Sequence, residues 1–402
     1  MRTSTTTTTI LGATVLAALA LTGCDGPAIG AQAECAQPTA LSIVIGAHSN
    51  AAPALPAEVA CMVRKTIEAG KPVSIIREDG APSVIQAPRV YTIGEASKDN
   101  DINNAKITVN RTVSGIEANA DGDNPLVALE LAGRLTADTP DATIAVLTPG
   151  LSDQAPLDLT VPSLASADPK EVTAKLKTLK ALPSLAGRIV HWYGLGDHHG
   201  TQPALTGPQR QNYQDIYTSI LTTAGATITF HPGPASAGAT PRPAGPRTIR
   251  PVPAAEQPTL DFPKAGGTQK AEGTRTFDNA SSLGFLPDST TFRDPGAAAA
   301  TGAALAQWLS ENPGSSLTVT GTTASAGTPE ARGALALARA QAVCAQAVVA
   351  GADPARMFPA GESGNGFSGY VPDTLPDGTL DPVAAERNRT VVISFGPQRT
   401  QP

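Results

Sequence analysis

The sequence predicts a two-module α/β protein. A largely parallel-sheet α/β domain occupies residues 40–231, a Pro-rich linker 232–272, and a smaller β-α-β-α-β module 273–398. Three observations predict it. Up to residue 231, short and nearly continuous apolar runs alternate with helix-length segments, the pattern of strands covered on both faces. Nine prolines then recur between Pro232 and Pro263 with no helical or strand period, which marks a semi-rigid linker or a strap laid over a domain surface. Beyond Lys270 basic charge is carried by arginine alone, so a different module begins there.

In the first module Leu41 to Gly46 reads as a buried strand, and Pro56 to Ala69 as a helix stopped by Gly70. Pro72 to Arg77 is a second strand; short strands are expected at Arg89 to Thr92 and at Lys106 to Val113. Asn124 to Leu135 is helical, with Pro125 in its first turn, and leads into the strand Thr143 to Leu147. The charged helix Pro169 to Leu179 precedes the strand Arg188 to Gly194. The helix Gln209 to Ala224, closed by Gly225, precedes the strand Ala226 to Phe230. In the second module Leu283 to Phe292 is strand-like, Gly296 to Leu309 a helix, and Ser316 to Thr320 a strand. The helix Leu335 to Ala350 follows, then a Gly/Asp/Pro-rich loop from Gly361 to Asp381 and the last strand Arg389 to Phe395.

Hydrophobic residues at 41% suffice for real cores in a chain of 402. A formal charge of −6 excludes a general nucleic-acid binder, because no basic surface displaces counterions from phosphates. After the N-terminal apolar stretch no run reaches the ~18 apolar residues of a transmembrane helix.

That stretch, Ile10 to Leu21, follows Arg2 and has the length of a signal-peptide core. It ends in Leu21-Thr22-Gly23-Cys24, which resembles the bacterial lipobox. The resemblance implies a signal peptide over 1–23, acylation of Cys24, a tether over 24–39, and an extracytoplasmic protein anchored to a membrane by lipid. Outside the cell the remaining cysteines can oxidise. Cys35 precedes the first strand and Cys61 lies on the following helix, so these two are the expected disulfide, with Cys344 a free buried thiol.

Several short motifs occur in the second module in order and at consistent spacing. They are Phe285-Leu286-Pro287-Asp288-Ser289, Val319-Thr320-Gly321-Thr322-Thr323, the helix Leu335-Ala336-Leu337-Ala338-Arg339-Ala340, Gly351-Ala352-Asp353-Pro354, Ala360-Gly361-Glu362-Ser363 and Glu386-Arg387-Asn388-Arg389-Thr390-Val391. Together they resemble the OmpA-like domain, the peptidoglycan-associating module of bacterial envelope proteins. The resemblance implies peptidoglycan as partner, recognised through the diaminopimelate of its stem peptide. An aspartate meets the ligand's ammonium and a helix arginine meets its carboxylate. Arg339 holds the arginine position, Thr323 and Arg389 fall within site motifs, and Ala324 stands where the aspartate belongs. Asp288 and Glu362 are other acids within reach by sequence.

The first module offers less. Asp197-His198-His199 follows a strand, where α/β sites form, yet no third ligand has a recognisable spacing. Asp121-Gly122-Asp123-Asn124 reads as ordinary helix-capping residues. A strand followed by an Asp-rich helix start is similar to integrin-type metal-binding domains, but Ala47-His48-Ser49-Asn50 replaces their Asp-x-Ser-x-Ser. No nucleophile elbow, P-loop or dinucleotide fingerprint is present, so no catalytic residue, metal or cofactor is expected. The expected role is that of a lipoprotein linking membrane to cell wall. The alternative is a solute or partner sensor whose second module is only a scaffold.

Overall fold

The computed structural model describes residues 35–49, 51, 54–198, 200–231, 248–255, 260–264, 272–364 and 367–398. The N-terminal domain is built from β1 (Leu41–Gly46), α1 (Ala57–Glu68), β2 (Val73–Glu78), β3 (Ser83–Arg89), α2 (Lys98–Ser114), α3 (Pro125–Leu135) and β4 (Thr143–Leu147). A small hairpin of β5 (Asp153–Gln154) and β6 (Leu157–Asp158) follows, then α4 (Pro169–Thr178), β7 (Ile189–Tyr193), α5 (Gly207–Thr223) and β8 (Thr227–His231).

Its six-stranded sheet runs β3-β2-β1-β4-β7-β8, parallel except for β3 at one edge. β1 and β4 are buried at every position, which explains their nearly continuous apolar sequences. One apolar core packs α3, α4 and α5 on one face, and a second packs α1 and α2 on the other. The order reverses between β1 and β4, and at such a switch point the C-terminal strand ends form a crevice.

The C-terminal unit holds β9 (Gly273–Asp278), α6 (Pro295–Glu311), β10 (Ser315–Thr323), α7 (Pro329–Val349), β11 (Met357–Ser363), α8 (Pro382–Arg387) and β12 (Thr390–Pro397). The sheet order is β11-β10-β12-β9, with β10 and β11 parallel and the other pairs antiparallel. Helix starts share one device: Asp168, Asp294, Thr328 and Asp381 each cap a helix whose next residue is proline. The side-chain oxygen satisfies an orphan N–H, while proline has none to satisfy. Gly321 and Gly361 let α7 lie directly on the sheet, since a Cβ at Gly321 would stand 2.2 Å from the Ala336 carbonyl oxygen.

Four sequence expectations need correction. Residues 106–113 are not a strand: Ile102, Ala105, Val109 and Val113 form one buried helical stripe on α2, and Ile107, which suggested a strand, faces solvent. The edge strand near 89–92 lies instead at Ser83–Arg89. Leu283 to Phe292 is a turn closed by a Phe285–Phe292 bridge, and the opening strand is the polar β9, of which only Phe277 is buried. Finally, Met357–Ser363 is a strand and Pro382–Arg387 a helix, where the reading gave only a loop from Gly361 to Asp381 between the helix and the last strand. Pro359 hides β11 from a propensity reading, and proline is tolerated there because β11 is an edge strand.

The described linker residues behave as a strap. Val252 is buried, its backbone held by both ends of the Gln202 amide, and Gln209 holds Pro253 and Ala255. Phe262 is buried in the C-terminal core, and the Trp308 indole donates to the Pro263 carbonyl at 2.6 Å. Cys35 and Cys61 form a disulfide, and Cys344 is free and buried. Among the described residues no helix is long and apolar enough to cross a membrane. Cys24 lies outside them.

Candidate functional site

A cleft of about 250 Å³ opens on the C-terminal unit between the end of β10, the first turns of α7 and the turn at Asp288. Thr323, Ala324, Arg339 and Arg389 all line it, together with Asp288 and Arg332. Four residues drawn from three separated motifs thus share one wall. Glu362 is not among the lining residues.

Arg339 projects from α7 into the turn, where its Nε donates to the Ser289 carbonyl at 3.0 Å and its Nη2 to that of Leu286 at 3.3 Å. Its guanidinium carbon lies 5.2 Å from the Phe285 ring centroid. Burial, with Arg389 nearby, lowers its pKa to about 10, so it remains a cation at neutral pH. Asp288 is exposed at the rim and adopts φ 46°, a left-handed conformation that aspartate tolerates better than bulkier residues. Ala324 is buried and adds no charge. Behind it, Ser325 N donates to Asp373 Oδ2 at 2.9 Å, and Tyr370 and Asn388 donate to the same carboxylate. Although burial works the other way, these donors hold Asp373 below its ordinary pKa. Asp373 therefore fastens the 361–381 loop to the strand end.

Arg389 is engaged elsewhere. Its two terminal nitrogens form a bidentate pair with Glu171 of α4, and Nη1 also lies 3.5 Å from Glu386. Burial disfavours its charge, yet the Glu171 carboxylate raises its pKa above the ordinary value. Around this pair Glu386 accepts from the Ser166 hydroxyl, Lys175 pairs with Asp381, and Arg293 donates to Asn212 Oδ1 at 2.9 Å. A polar seam between the two domains therefore runs beside the cleft. No sequence motif pointed to Glu171, which became a site residue only through domain packing.

A second constellation lies in the N-terminal domain. His48 follows β1, Glu78 ends β2, Asp123 precedes α3 and Thr148 follows β4, and all four are buried. His48 Nε2 lies 3.1 Å from Glu78 Oε2 and 3.4 Å from Asp123 Oδ2. Glu78 Oε1 accepts from Asn124 N at 2.7 Å. Among the described residues no N–H or hydroxyl group donates to either carboxylate oxygen of Asp123, whose carboxyl partner is Glu78, and the Nδ1 of His48 has no hydrogen-bond partner. Burial pushes Glu78 up to about 7 and raises Asp123 as well, with Glu78 adding to the latter. Asp123 is therefore no solvated cap; within its motif that task falls to Asn124, whose side chain accepts from Val127 N. Of the other motif, Asp197 pairs with Arg210 at 3.2 Å, His198 is exposed, and His199 lies outside the described residues.

No protein-family model matches the chain, and no curated protein sequence does. Among solved structures it is similar to the peptidoglycan-associated lipoprotein of Burkholderia pseudomallei at 25% identity and a TM-score of 0.24, over 30% of this chain and 89% of that one. It is similar to the OmpA-like domain of FopA1 from Francisella tularensis at 22% and 0.22, over 32% and 75%. The cell wall anchor of the T6SS from Pseudomonas aeruginosa gives 21% and 0.24, over 32% and 84%. These similarities fall on the C-terminal unit.

Proposed function

We propose that the chain is an envelope lipoprotein, anchored through Cys24, whose C-terminal unit holds peptidoglycan non-covalently. The observation that carries this reading is the charge pattern of the cleft, where guanidinium groups and one carboxylate border a single cavity. The diaminopimelate end of a stem peptide carries one ammonium and one carboxylate. Arg339 meets the carboxylate, and Asp288, on the turn into which Arg339 projects, takes the ammonium in place of the aspartate replaced by Ala324. Charge-assisted contacts of this kind contribute about 1.5–3 kcal/mol each.

The test is co-sedimentation of the full chain with insoluble peptidoglycan of the diaminopimelate type and of the lysine type. Lysine lacks the second carboxylate, so binding to the first alone is expected. Asp288→Asn and Arg339→Lys are expected to weaken it by roughly 10- to 100-fold, since lysine keeps the charge and loses the fork. Equal binding by both variants, or by both wall types, removes the assigned site. Lipid attachment is tested separately, by mass spectrometry of the membrane-bound protein and its release by Cys24→Ser.

A further inference from the structure

Four donor atoms converge at the switch point of the N-terminal sheet. Besides its 3.1 and 3.4 Å approaches to Glu78 Oε2 and Asp123 Oδ2, His48 Nε2 lies 3.4 Å from Thr148 Oγ1. Thr148 Oγ1 in turn lies 3.0 Å from Glu78 Oε2. A tetrahedron with metal–ligand bonds of ~2.0–2.1 Å has edges of ~3.3 Å, close to these separations. Calcium, at ~2.3–2.6 Å with six or more oxygens, requires a wider and more numerous set.

Charge balance points the same way. Glu78 and Asp123 are 0% exposed, and among the described residues neither pairs with a lysine or arginine. Asp123 Oδ2 faces His48; among the described residues no N–H or hydroxyl group donates to either Asp123 oxygen, and its one carboxyl partner is Glu78. Two buried carboxyl groups without a cation are costly, and a divalent ion at the centre offsets that cost. We infer that His48, Glu78 and Asp123 form a three-ligand site for one zinc-class divalent ion, with the Thr148 hydroxyl orienting Glu78 beside it. The ligands come from the ends of β1 and β2 and from the segment before α3, so the ion cross-links loops that no disulfide joins. The site is independent of wall binding.

A second group, Glu58, His191 and His231, provides an internal control. There His231 directs Nε2 to His191 Nδ1 at 2.9 Å and Nδ1 to Glu58 at 3.3 Å, so both ring nitrogens are taken up in a relay.

The experiment uses the full chain after chelator treatment, titrated with Zn²⁺ by calorimetry and with Co²⁺ by visible absorption. One Zn²⁺ per chain, the intense bands of tetrahedral cobalt and a rise in melting temperature with Zn²⁺ are expected. Asp123→Asn and His48→Gln are expected to weaken binding by on the order of 100-fold or more, and His231→Gln to leave it unchanged. Absence of bound metal, a weak octahedral cobalt spectrum, or loss in His231→Gln with retention in Asp123→Asn overturns the assignment. The wild-type cobalt spectrum decides the matter even where a variant fails to fold.

Discussion

Glu171→Gln tests whether the domain seam controls the cleft. The substitution keeps shape and removes the charge that holds Arg389, whose side chain is 11% exposed against 13% for Glu171. With two parallel N–H···O contacts in a half-dry setting, releasing the guanidinium costs about 2 kcal/mol in the wild type. Arg389 is therefore withheld from any ligand, and freeing it is worth roughly 10- to 30-fold in affinity. Calorimetry with a soluble diaminopimelate stem peptide is expected to show Glu171→Gln binding tighter by that factor. Arg389→Gln is expected to matter little in the wild-type background and to abolish the gain in the Glu171→Gln background. A Glu171→Gln protein that binds no better, or an Arg389→Gln effect of equal size in both backgrounds, would refute the competition.

Three further outcomes are expected. Folding raises Glu78 from 4.5 to about 7, so the folded state holds this proton more tightly. Its contribution to stability is then greatest below pH 4.5 and declines, by about 3 kcal/mol, as pH climbs toward 7. Urea unfolding of metal-free protein across that window should show the decline and Glu78→Gln should flatten it; an unchanged slope counts against the buried carboxyl. Cys35→Ser with Cys61→Ser opens a loop spanning 26 residues and is expected to cost about 3.5 kcal/mol, read as a shift in denaturation midpoint that reductant reproduces in the wild type. Gly321→Ala drives a methyl group to 2.2 Å from the Ala336 carbonyl and should destabilise the C-terminal unit by at least ~2 kcal/mol, seen as a lower melting transition.

The interior parallel strands are legible because both faces are covered, which leaves β1 and β4 as nearly continuous apolar runs. Edge strands were not. β9 buries one residue and β11 contains Pro359, so each exists by pairing with a neighbour rather than by its own propensity. Helix α2 was misread because β-branched Ile107 and Thr108 outweighed a polar helix whose stripe has only four apolar positions. Arg339 and Arg389 could be found because each sits in a short motif, whereas Arg332 lies before the helix motif and carries no such signal. His48, Glu78, Asp123 and Thr148 lie on four separate segments with no local spacing to reveal them. In retrospect three of them share a signal, each ending or following a buried strand at the point where the sheet reverses.

The strap alters how the 41-residue linker should be measured. Ala255 is fastened to the first domain and the Phe262–Pro263 pair to the second, with Leu260 the first described residue on the far side. From Ala255 to Phe262 the chain reaches at most ~25 Å even fully extended. While both fastenings hold, the domains cannot drift apart like beads on a long string. Any movement that uncovers Arg389 is a short-radius hinge, and a force separating the two domains would first pull Val252 and Phe262 from their cores. The strap acts as slack in reserve, paid out under load.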